Sequence, residues 1–120
     1  MEKKFLIVIT HSSDAPERAG AALSIANTAV ASGMDVVIFA LNEGALLVKK
    51  GFAETVKDQK AFPPLSTLLD TLVEAEQKFF VCTACANQFG VKQEELLPNT
   101  EMAGPQTLLE YALEREVMTF

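Results

Sequence analysis

The sequence predicts an α/β fold, a three-layer α/β/α sandwich built on a mainly parallel five-stranded sheet. Three observations carry that expectation. The runs "FLIVIT" (5–10) and "DVVIFAL" (35–41) are continuous, apolar and β-rich, the pattern of strands buried on both faces. A stretch of helical periodicity separates them, and strand, helix, strand within fewer than 40 residues is a βαβ unit with parallel strands and a right-handed crossover. The same alternation then runs on to the end of the chain, with no repeat, low-complexity tract or linker, so residues 1–120 are expected to form one domain.

Each element has its own signal. After the first strand comes the polar turn "HSSDAPER", where Asp14 and Glu17 resemble a capping box and Pro16 suits a first helical turn. Ala19, Ala22, Leu23, Ala26 and Val30 recur at helical spacing, Ala21, Ile25 and Ala29 widen that stripe, and Gly33 ends the helix. "NEGALLVKKGF" reads as a turn and short helix, and "AETVKDQKAFPP" as a surface loop, the most mobile-looking segment. Leu65, Leu68, Leu69, Leu72 and Val73 make the cleanest amphipathic helix. "KFFVC" (78–82) is a third strand, Thr83 to Phe89 a short helix stopped by Gly90, and "NTEMA" a fourth strand. Gly104 and Pro105 open a last helix carrying Leu108, Leu109, Ala112 and Leu113 on one face, and "EVMTF" is the fifth strand.

Composition bounds the function. Hydrophobic residues make up 49% of the 120, enough for a core, and the net charge is −6. That charge argues against direct nucleic-acid binding, which needs a basic face. Lys3, Lys4 and the run "FLIVI" faintly mimic a signal peptide, but five apolar residues are too few for a signal core or a membrane span. A cytoplasmic location without membrane attachment is therefore expected, and there the two cysteines are reduced and chemical rather than a structural staple.

In an open parallel sheet, sites form at the carboxyl ends of the strands. His11, Ser12 and Ser13 follow strand one, Asn42 and Glu43 follow strand two, and Cys82 ends strand three. Whether the single histidine and Cys82 are neighbours depends on strand order. Cys82 and Cys85 lie three apart at the start of a helix, where free N–H groups favour a thiolate. Four readings of the pair compete. Zinc lacks the four protein ligands a structural site wants, short of a site between subunits. A redox dithiol fits the spacing, but the chain has no tryptophan and no Cys-Gly-Pro-Cys. Two buried thiols packed as small hydrophobes need no chemistry. A persulfide carrier needs one activated cysteine near the surface. No cofactor and no resident metal are expected.

Other residues weigh toward structure. His11 is either an acid or electrostatic partner for Cys82 or, the preferred reading, a solvent-facing turn residue. Ser12 and Ser13 read as helix caps, Lys49 and Lys50 as exposed charges, Phe79 and Phe80 as strand core, and Gly44 and Gly90 as turn and C-cap glycines.

Taken together, "THSSDAPERA", "ASGMDVVIFALNEGALLV", "FFVCTACANQFGV" and "LEREVMTF" resemble the DsrE/DsrF-like family of sulfur-relay proteins over nearly the whole chain. The resemblance implies a Rossmann/flavodoxin-like, DsrEFH-like sandwich. It implies that Cys82, followed by Gly90 eight residues on, bears a persulfide, and that the protein is a homo-oligomer, a trimer or hexamer, working with sulfur donor and acceptor proteins. Cys85 falls where many members carry a small residue, so its role is not carried over. The expected function is an intracellular sulfur relay, a possible sulfurtransferase, with Cys82, Cys85 and His11 as site residues. A thiol–disulfide switch using both cysteines and a non-catalytic oligomeric binding module are the alternatives.

Overall fold

The computed structural model describes residues 3–120. Five strands, β1 (Lys4–Ile9), β2 (Asp35–Ala40), β3 (Lys78–Cys82), β4 (Thr100–Ala103) and β5 (Glu116–Thr119), form one sheet in the order β4-β3-β2-β1-β5. Every pairing is parallel, so the expected mainly parallel sheet is wholly parallel. The helices are α1 (Pro16–Ala31), α2 (Leu65–Glu74), α3 (Thr83–Gln88) and α4 (Pro105–Ala112), with 3-10 turns over Asn42–Val48, Ala53–Thr55 and Gln93–Glu95.

Strand order explains the layers. From β1 to β4 the chain steps one position at a time in one direction, and right-handed crossovers keep α1, α2 and α3 on the same face. The return from β4 to β5 runs the opposite way across three strands, so the same rule places α4 on the other face. The side chains agree. Ile7, Ile9, Val36, Ile38, Phe79 and Val81 pack with α1, α2 and α3, while Leu6, Val8, Val37, Phe39 and Phe80 pack with Leu108, Tyr111 and Ala112 of α4. This is the alternation of a pleated strand covered on both sides. Fully buried side chains such as Leu23, Leu72 and Phe79 contribute about 2 kcal/mol each.

Ala19, Ala22 and Ala26, all fully buried, let α1 lie close to the sheet, and the Asn27 side-chain amide donates to the Leu23 carbonyl at 2.9 Å and to the Leu68 carbonyl at 3.1 Å, tying α1 to α2. Three expectations need correction. Ile25 does not widen the packed stripe of α1 but is exposed. The helix starts after Ala15 without any side-chain cap, because Asp14 is committed to the preceding turn. On α4 the face against the sheet is Leu108, Tyr111 and Ala112, whereas Leu109 and Leu113 are 65% and 87% exposed. Tyr111 stacks edge-on against Phe80 with ring centroids 4.9 Å apart, and this contact sets the helix's rotation. The loop before α2 carries hydrogen bonds of its own. The Gln59 side chain accepts from the Phe62 N–H at 2.7 Å and donates to the Phe62 and Pro63 carbonyls, at 2.8 and 2.9 Å.

Candidate functional site

Parallel sheets bind ligands where the connections leaving two adjacent strands turn to opposite faces. In this sheet that point lies between β3 and β4, because β3 continues into α3 on one face and β4 into α4 on the other. Cys82 is the last residue of β3 and pairs in register with Ala103, the last residue of β4. The strand therefore delivers Cys82 to the topological switch point at the carboxyl end of the sheet. The half-buried Cys82 packs against the same core layer as Leu41, Ala103 and Leu108, and the Thr83 hydroxyl donates to the Ala103 carbonyl at 3.3 Å.

Cys85 sits one turn on, in α3, and packs toward the opposite core layer. The backbone N–H of Asn42 donates to Cys85 Sγ at 3.1 Å. Asn42 has a φ of 51°, a left-handed conformation that asparagine tolerates better than most residues. The turn that follows is tightly packed. A Cβ on Gly44 would lie 2.1 Å from the Ile9 carbonyl oxygen, so only glycine lets the chain leaving β2 press against the end of β1. The Leu41 N–H donates to that same carbonyl at 2.9 Å, and the Gly44 N–H donates to the Leu41 carbonyl at 2.8 Å. Burial pushes the Cys85 thiol above its ordinary value. The Asn42 N–H opposes that, and the neighbouring Cys82 thiol adds to it. Both cysteines are free thiols.

The other expected site residue lies apart. Strand β2 stands between β1 and β3, so His11 is one strand removed from Cys82. His11 Nδ1 is 2.7 Å from Asp14 Oδ2, and the Ser12 N–H donates to Asp14 Oδ1 at 2.8 Å. Among the described residues no hydrogen bond joins His11 to either cysteine. Although burial works to raise it, the Asp14 carboxyl is held below its usual range by the Ser12 N–H and by His11. Ser12 is not a cap, since its side chain is fully buried and its Oγ has no hydrogen-bond partner. Lys49 pairs with Glu95 at 3.7 Å. Gly90, at φ 69°, turns the chain after α3, and a Cβ there would meet nothing within 4 Å, so backbone conformation alone accounts for glycine.

Sequence reasoning missed Asn42 as a contact of Cys85. The signals were present in the strand-two end "ALNEG", but linking it to the third strand required the strand order. Among the described residues no three His, Cys, Asp or Glu side chains group as metal ligands, and no helix is long and apolar enough to cross a membrane.

The sequence model of the DsrE/DsrF-like family matches residues 3–120. This chain belongs to that family. A protein of Methanocaldococcus jannaschii, named only as uncharacterized, is 31% identical over 98% of this chain and 99% of its own length. A second uncharacterized protein of that organism is 32% identical over 92% of this chain, which spans 40% of it. The fold is that of the ychN protein from E. coli, with a TM-score of 0.80 over the full length of both chains at 17% identity. Within this DsrE/DsrF-like sandwich, Cys82 stands at the switch point between β3 and β4, and Cys85 has its own backbone donor.

Proposed function

We propose that the protein is a cytoplasmic sulfur relay that carries sulfane sulfur as a persulfide on Cys82 and passes it to a partner protein. The observation that carries this reading is the position of Cys82 at the switch point between β3 and β4, half-buried yet reachable. Loading needs little else. The Cys82 thiolate attacks the outer sulfur of a donor persulfide, a new S–S bond forms, and the donor leaves as a thiolate. His11 takes no part in this reading, since Asp14 already engages it.

Intact-mass measurement after incubation with a persulfide donor tests the assignment. Cys85→Ser is expected to gain one sulfur, and Cys82→Ser to gain none. Equal uptake by Cys82→Ser removes Cys82 from the role.

A second reading, a thiol–disulfide switch without sulfur cargo, is favoured by the Asn42 contact to Cys85 and by the closeness of the two thiols. It expects loss of either cysteine to abolish activity.

The relay is further proposed to act as a homo-oligomer. Exposed Leu109 and Leu113 on α4, Val117 and Met118 on the edge strand β5, and Ile25 on α1 support this. Ile25 and Met118 share an apolar groove of about 250 Å³ with Phe5, Ile7 and Met34, so part of this surface is continuous.

A further inference from the structure

Cys85 is not needed to hold a sulfur on Cys82, yet it receives a dedicated hydrogen bond. We propose that Cys85 is a releasing thiol: it attacks Cys82 Sγ of the loaded protein, closes a Cys82–Cys85 disulfide and expels the carried sulfur as hydrosulfide. The inference rests on the persulfide reading above and adds the fate of the cargo, namely release as inorganic sulfide alongside transfer to a protein acceptor.

Three observations support it. Cys82 is the N-cap residue of α3 and Cys85 its third residue, the pair of positions whose side chains meet across a first helical turn. Cys82 packs with the core layer on the α4 side and Cys85 with the layer on the α1 side, so the two thiols straddle the sheet at the carboxyl end of β3. The Asn42 N–H reaches Cys85 Sγ at 3.1 Å from the end of β2 and holds that sulfur in place. A backbone donor of this kind steadies a thiolate, both when it attacks and when it later leaves on reduction. Asn42 lies two residues before Gly44, where the chain leaving β2 presses against the end of β1.

The chemistry balances. The Cys85 thiolate supplies the electron pair for the new Sγ–Sγ bond. The bond between Cys82 Sγ and the outer sulfur breaks, and its pair departs with HS⁻. The sulfane sulfur is thereby reduced to sulfide while two cysteine thiols are oxidised to a disulfide. An external dithiol then opens that disulfide by exchange and becomes the disulfide itself.

The test uses the reduced full-length chain, freed of reductant and loaded with glutathione persulfide. Sulfide is followed with a fluorescent probe, and the protein by intact mass and peptide mapping. Wild type is expected to release sulfide at least about tenfold faster than Cys85→Ser or Cys85→Ala, as an intramolecular thiol should. It should end as a Cys82–Cys85 disulfide that dithiothreitol reopens, while both Cys85 variants keep the added sulfur. Wild type that keeps its persulfide as long as the Cys85 variants overturns the inference and leaves the Cys82 carrier standing. Loading of Cys82→Ser at the wild-type rate overturns the carrier reading itself. The mapped disulfide is read in wild type, so the result does not hang on how well a variant folds.

Discussion

At the residue scale, the two cysteines differ in what surrounds them. Cys82 owes its place to the strand register, and Cys85 owes its hydrogen bond to a neighbouring strand's exit turn. Because burial raises the Cys85 thiol, its thiolate fraction near neutral pH is below that of an ordinary cysteine and grows as pH rises. In Cys82→Ser, iodoacetamide should label Cys85 more slowly than free cysteine near neutral pH and increasingly fast toward alkaline pH. Burial, the largest cause of the rise, survives that substitution. Labelling as quick as that of free cysteine at neutral pH contradicts the assignment. Gly44 is the residue on which the arrangement turns. Gly44→Ala drives a Cβ to 2.1 Å from the Ile9 carbonyl oxygen, a backbone atom that cannot swing aside. A loss of about 3 kcal/mol is expected in urea unfolding. A loss below about 1 kcal/mol means that the turn yields, and the Asn42 donor with it.

At the element scale, most of the fold was legible. "FLIVIT", "DVVIFAL" and "KFFVC" read as strands because a strand covered on both faces has no polar side to confuse the pattern. The leucines of α2 read as a helix because its solvent face is polar. The last helix was legible as a helix but not in its rotation. Leu108, Leu109, Ala112 and Leu113 look like one face, and nothing local reveals that Tyr111 stacks on Phe80, thirty-one positions earlier. The candidate site was legible in its cysteines, which the chain brings together by spacing alone. Its switch point and its Asn42 donor were not, because both follow from which strands are neighbours, and that is decided by pairings between distant segments.

At the scale of the whole molecule, the two faces of the sheet are unequally dressed. Three helices cover one and a single eight-residue helix crosses the other. In the proposed assembly, the leucines that α4 turns outward, Leu109 and Leu113, are the contact for a second copy of the chain. Light scattering is expected to give a mass that is a multiple of the 13.0 kDa chain. Leu109→Glu combined with Leu113→Glu should shift it toward the monomer. A monomeric wild type, or a variant of unchanged mass, removes this surface from the assembly.

The route of the chain through the sheet also fixes an order of events. Strands β1 to β4 are laid side by side in the order in which they are synthesised, but β5 pairs with β1, and the Thr10 N–H reaches the carbonyl of Phe120 at 2.7 Å. The outer edge of β1 therefore has no strand beside it until residues 116–119 are available. Closing this contact joins segments about as far apart as the chain allows, which is the slow kind of pairing. Until it closes, the apolar run at the start of the chain offers an open template to other strands. Residues 116–119 thus act as the clasp that covers the outer edge of β1.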